Sequence, residues 1–194
     1  MSKENGVLSG WTEIIEMFRF AAEAFQNIPK DEFMDIRALF GLSILMSFLA
    51  FGLVTKLYLW PRLRTLERDD ALLPLVVFHT FRFIGLSFLV PGVVSPSLPL
   101  ALAAPAAYGD LIATILALVA TLALSGRASF ATLLVWLFNI WGTADLLFAY
   151  YQGLFGVQLD PRMLGAAFYI PTALVPVLLT THALIFWLLI RPRA

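Results

Sequence analysis

Cysteine is absent from this 194-residue chain, which excludes disulfides, thiolate metal sites, cysteine nucleophiles and cysteine-ligated iron–sulfur clusters. Charge is scarce: Asp, Glu, Lys and Arg make up 13% of the residues, against roughly a quarter in soluble domains. The 13 basic and 13 acidic side chains cancel, so no basic surface argues for nucleic acid. Soluble-enzyme signatures are missing as well: there is no glycine-rich phosphate loop, no nucleophile elbow and no pair of histidines at zinc-binding spacing on one helix. Met1 to Gly10 is polar, and no small-residue cleavage pattern follows the first long apolar run, so that run is expected to stay in the mature protein.

What the chain has in abundance is apolar length, with 60% hydrophobic residues. About five stretches approach the ~20 residues that cross a ~30 Å hydrocarbon layer. They fall at about Ala38 to Trp60, Ala71 to Val90, Leu98 or Pro105 to Leu124, Phe130 to Tyr150 and Met163 to Ile190. The expectation is an all-α integral membrane bundle of about five transmembrane helices over residues 38–194, preceded by an amphipathic segment over 1–37. In that segment Trp11, Ile14, Ile15, Phe18, Ala22 and Phe25 recur at helical spacing, opposite Glu13, Glu16, Arg19 and Glu23. Asp31 is placed to cap the helix that follows. No internal repeat announces an inverted-topology transporter.

Lys56, Arg62, Arg64 and Arg68 flank the first connection, Arg127 lies in the third, and Arg191 and Arg193 close the chain. With an odd number of spans these fall on one side, which positive charge assigns to the cytoplasm. The N-terminus is then outside and the C-terminus cytoplasmic. Arg19, Lys30 and Arg37 on the outer side oppose that orientation.

A few ionisable or strongly polar groups interrupt the apolar runs, and in lipid each needs a reason. In the second span His79 and Arg82 are three apart, on one helix face. Arg82 lies roughly 15 Å deep at 1.5 Å per residue, so the bundle interior has to supply a counter-ion. Asp110 in the third span and Asp145 in the fourth are the candidates. Were the third helix to start at Pro105, Asp110 would lie about 8 Å below the outer surface, with Leu98 to Ala104 dipping in as a connector. In the fourth span Asn139, Gly142 and Thr143 share a face with Asp145 on its edge. The fifth span carries Pro171, Pro176, Thr180, Thr181 and His182, which predicts a kinked helix with hydroxyls or water meeting the freed carbonyls.

His79, Arg82, Asp110, Asn139, Asp145 and His182 thus form the candidate polar core or substrate path, and three readings compete for it. The first is a small transport, permeation or proton-coupling protein, because acidic groups and imidazoles at successive depths serve as relays. The second is a static network inside a structural or assembly subunit, with a membrane-protein partner or a homo-oligomer beside the lipid. The third is a b-type haem protein, with His79 and His182 at similar depth as axial ligands; on the other readings no cofactor or metal is implied. A membrane-embedded enzyme acting on lipid through His and Asp is a further option.

Phe81-Arg82 with Gly85, Pro105-Ala106 with Gly109-Asp110, and Asn139 with Gly142 and Asp145 carry a resemblance over the second to fourth spans. On them the chain resembles a family of uncharacterised bacterial multi-pass inner-membrane proteins with no assigned activity. The resemblance implies a bacterial plasma-membrane location and a shared polar core, and it carries over no catalytic residue.

Overall fold

The computed structural model describes residues 16, 19 and 35–191. Five helices among them are long and apolar enough to cross a membrane: α1 (Ile36–Leu63), α2 (Arg68–Leu89), α3 (Leu100–Ser125), α4 (Ala131–Gly156) and α5 (Ile170–Ile190). No strand occurs among the described residues, only an isolated bridge between Pro91 and Val94. A compact unit begins at Ile36. Of the amphipathic segment, Glu16 and Arg19 are helical and exposed; its remainder, with the Asp31 cap, lies outside the described residues.

α3 is the pillar of the bundle because its inward face is built from small residues. Ala103, Ala106, Ala107, Gly109, Ala113, Ala117 and Ala120 are buried, and such residues let neighbouring backbones approach closely in lipid, where packing replaces the hydrophobic drive. One apolar core joins Leu72, Val76, Val135, Phe138, Ile185 and Leu188 towards the Arg68 end. A smaller one joins Leu146, Ala167, Ile170, Val175 and Leu178 towards the other. α1 stands apart from this economy: in Ile36–Val54 only Phe40 is buried.

The boundaries differ from the sequence reading in ways that move the polar groups. α3 starts at Leu100, with Pro99 as the N-cap residue and Pro105 inside the helix, close to the first of the two starts the sequence left open, Leu98 and Pro105, so that Leu100 to Ala104 is helix and not connector. That start puts Asp110 about 15 Å from the helix end rather than about 8 Å. α5 starts at Ile170, not at Met163: the chain before it is a 3-10 segment, Pro161–Phe168, broken in its middle by Gly165 at φ 52°, ψ −128°. A Cβ at Gly165 would also collide with the carbonyl of Val93, and that approach lets Ala166 N–H donate to Val93 O at 3.0 Å.

The prolines of α5 flank a change of helical winding. Pro171 sits in the first turn of a π-helical segment, Ile170–Leu174, and Pro176 in the first turn of the α-helical part that follows. Pro171 is thus in the first turn of α5, where a missing N–H is tolerated, whereas Pro176 follows directly on the π-helical winding, and Thr180 donates its hydroxyl to Pro176 O at 2.8 Å. The second span changes character too. α2 is α-helical over Arg68–Phe78 and 3-10 over His79–Leu89. At three residues per turn, every third side chain lies on one line. His79, Arg82 and Gly85 are the buried residues of that stretch, whereas Phe81, Phe83 and Ile84 are exposed.

Candidate functional site

Arg82 is the centre of the buried polar groups. Its Nε donates to Oδ1 of Asp110 at 2.7 Å, and its Nη2 donates to Oδ2 of Asp145 at 2.6 Å. Nη1 donates to the carbonyl of Gly142 at 3.1 Å and meets Nε2 of His182 at 3.3 Å. Four of the five guanidinium N–H groups are thereby accounted for. The sequence proposed one or the other aspartate as the counter-ion; the structure has both.

The three helices arrive at one level for a simple reason. Arg82 lies seven 3-10 residues from Leu89, about 14 Å at ~2 Å per residue. Asp110 and Asp145 lie about 15 and about 16 Å from Leu100 and Gly156. That is the midplane of a ~30 Å layer, where an uncompensated charge is most costly.

Close approach is provided by glycine on the facing helix. A Cβ at Gly85 would collide with the Asp110 carboxylate, and one at Gly109 with the Asp145 carboxylate. A Cβ at Gly142 would stand 2.6 Å from Cε1 of His182 and 2.7 Å from Nη1 of Arg82. The fork is held further by Thr114, which donates to Asp110 O at 2.9 Å, and by Trp141, whose Nε1 donates across to Gly109 O at 3.4 Å.

His182 is oriented by Asn139. The Asn139 amide donates to the carbonyl of His182 at 3.2 Å, which turns Oδ1 towards Nδ1 of the ring at 2.7 Å. An amide oxygen only accepts, so Nδ1 carries the proton and Nε2 presents a lone pair to Arg82. His182 is therefore a neutral imidazole bound at both nitrogens.

His79 takes the opposite tautomer. Its Nε2 lies 2.9 Å from Thr181 Oγ1, whose hydroxyl has Leu178 O at 2.9 Å and Val177 O at 3.1 Å as acceptors. With that hydroxyl proton given to the backbone, Nε2–H of His79 donates to Oγ1. Nδ1 is then a bare lone pair, buried with no partner among the described residues, which costs less than a stranded N–H would. The two rings are in contact, centroids 4.1 Å apart at 45°. Phe138 packs 5.0 Å from the His79 ring and 5.3 Å from that of His182.

All six residues named from the sequence thus lie in one connected cluster, and two cavities approach it from opposite ends. The first, about 600 Å³, is walled by Phe40, Leu102, Leu164 and Ile170, among others, and reaches Asp110 and Asp145. The second, about 450 Å³, lies among Phe51, Thr55, Leu75 and Phe78 and reaches Thr181. Between them His79, Arg82, Phe138, Asn139 and His182 are at most 1% exposed. Sequence reasoning did not find Thr181 as the partner of His79, nor Arg37 and Tyr150 on the first cavity. Gly85 and Gly109 carried a signal, since each belongs to a short motif that also holds Arg82 or Asp110.

A haem between the two histidines has no space in this arrangement. Bis-histidine ligation requires a porphyrin between the imidazoles, yet the rings touch and both Nε2 atoms are engaged. No group of three or more His, Cys, Asp or Glu side chains placed to hold a metal ion occurs among the described residues.

A family model described as Domain of unknown function (DUF8737) matches residues 39–190. The chain belongs to that family. The DUF8737 match begins in the first turn of α1 and ends at the last residue of α5, so the matched unit contains the complete Arg82 cluster and the lining of both cavities apart from Arg37. No curated protein and no solved structure matches the chain.

Proposed function

We propose that this protein is a small membrane transporter, in which the Asp110–Arg82–Asp145 cluster is the coupling centre between two half-pathways. The observation that carries the reading is the placement of the two carboxylates on a cavity of about 600 Å³, backed by a dry plug, with a second cavity reaching Thr181 on the far side. A purely structural ion pair has no need of cavities on both sides of it. An open channel is less well supported, because the plug is sealed. A continuous proton wire is less well supported too: both nitrogens of His182 are held by an amide and a guanidinium, neither of which hands protons on. Protons or substrate would reach the carboxylates from one side and leave after the plug rearranges, as in alternating access.

α1 is the element suited to move. It lines the first cavity through Phe40, Gly41 and Ile44 and the second through Phe51, Val54 and Thr55, while burying little of its own surface. In the proposed orientation the first cavity faces outward and the second the cytoplasm of a bacterial cell. Arginine clustering at the second end favours it: Arg68 donates to the carbonyl of Arg191, and Arg127 pairs with Asp70.

The test uses single cysteines in the cysteine-free chain, in sealed membranes with an impermeant thiol reagent. Position 149 on the first cavity labels from outside, and position 180 on the second labels from inside. Two sites closed to water from both sides would leave a static structural bundle as the better description.

A further inference from the structure

We infer that the outward cavity binds an amphipathic organic monocation, a protonated amine or onium group on an apolar body, in competition with a proton at the Asp110–Asp145 pair. The inference rests on the transporter reading and names its substrate class.

Charge is the first argument. Two carboxylates share one guanidinium, so with both ionised the cluster holds one negative charge more than it can neutralise, near the membrane midplane. Such an excess is costly in lipid, and a single positive charge, brought by a proton or a ligand, removes it. The sign presented to the cavity follows from exposure. The Arg82 side chain is 0% exposed, whereas those of Asp110 and Asp145 are 9% and 11% exposed. A ligand therefore meets carboxylate oxygens and not the guanidinium behind them.

Hydrogen-bond character points the same way. Arg82 occupies one oxygen of each carboxylate, which leaves each a second oxygen as acceptor. Tyr150, also on the cavity, donates its hydroxyl to Pro171 O at 2.7 Å, so its oxygen is left to accept. The inner polar groups thus offer acceptors, which suits a cationic donor. The charged and titratable groups that bear on the pair are Arg37 from α1, Arg82 from α2, Tyr150 from α4 and His182 from α5 behind the arginine. Among the described residues Arg37 is the basic side chain on the cavity wall, exposed in the first turn of α1.

Size and walls set the rest. A volume of about 600 Å³ lies within the range of small-molecule sites, far above the needs of a bare inorganic ion. Phe40, Phe88, Leu102 and Ile170 supply apolar surface, and the two phenyl rings and Tyr150 add faces that attract cations.

The probes are tetraphenylphosphonium and tetraphenylborate, matched in shape and opposite in charge, added to the full chain in an uncharged detergent and followed by equilibrium dialysis. The phosphonium binds, lower pH weakens it, and binding in weak buffer releases protons. Asp145→Asn weakens it roughly tenfold or more, and Asp69→Asn, at an exposed site, leaves it unchanged. Ala149→Phe, which fills the cavity and leaves its charge intact, also weakens binding and guards against a folding defect in the aspartate variant. Tighter binding of the borate, lost in Arg37→Gln, would overturn the inference in favour of an anion site. Failure of the phosphonium to bind while positions 149 and 180 still label from opposite sides would remove the substrate class and leave the transporter; failure of both would remove both.

Discussion

Nδ1 of His182 stands 2.7 Å from Oδ1 of Asn139, and that bond sets the tautomer of His182. His182 is held as the Nδ1–H tautomer so that Nε2 can receive Arg82, and His79 as the Nε2–H tautomer by Thr181. A second positive charge beside the buried guanidinium is avoided.

Because the chain contains two histidines, nitrogen-15 NMR of histidine-labelled protein has two rings to resolve. It should show two neutral imidazoles of opposite tautomer. Asn139→Leu should release the His182 tautomer and leave that of His79 in place. Two rings of the same tautomer, or an imidazolium at neutral pH, would contradict the geometry.

Arg82→Leu leaves two carboxylates without their cation, a loss on the order of 3 to 5 kcal/mol for a dry pair. Since both aspartates bond to the arginine, adding Asp145→Asn alone should recover only part of the melting temperature, and adding Asp110→Asn as well should recover more. Thermal unfolding in detergent of the wild type and the three variants reads this directly. Full recovery with one aspartate changed would mean that the other takes no part in the ion pair.

Gly109→Ala should perturb the site more than Ala107→Gly does, although each changes one methyl on the same helix. The added methyl has nowhere to go but into the Asp145 carboxylate, so it forces a buried ion pair apart. The predicted signature is a lowered melting temperature that Asp145→Asn does not worsen further, as coupled positions behave. Additive losses would argue that the helices shift to make room.

Orientation is checked by single cysteines at positions 64, 127 and 155. The first two should label from the cytoplasmic side and the third from outside, following the arginine asymmetry. Labelling of position 64 from outside would invert the assignment of the two cavities.

The membrane bundle was legible because apolar length is written directly in the composition of each span, and so was the inward clustering of the ionisable groups, since Arg82 at the midplane demanded partners. The depth of Asp110 was not: Pro105 reads equally as a first-turn residue or as an interior proline of a membrane helix, and only tertiary packing chose the second. The 3-10 geometry of His79–Leu89 was hidden for a related reason. Residues three apart share a face in both helix types, so the spacing carries no sign of the tighter winding that lines up His79, Arg82 and Gly85. Cavities are spaces between helices, and no single span encodes them; the glycines that let Asp110 and Asp145 nest against neighbouring backbones were visible only as members of short motifs.

If Asp110 and Asp145 couple movement across the membrane, proton flux through the protein depends on both carboxylates. Proteoliposomes holding a pH-sensitive dye and loaded with the filtered small-molecule fraction of a cell lysate would be given an inward proton gradient. Proton entry should exceed that of protein-free vesicles, be lost in Asp145→Asn and in Asp110→Asn, and be kept in Asp69→Asn. Wild-type vesicles that match protein-free ones, or well-folded aspartate variants that carry wild-type flux, would contradict that coupling.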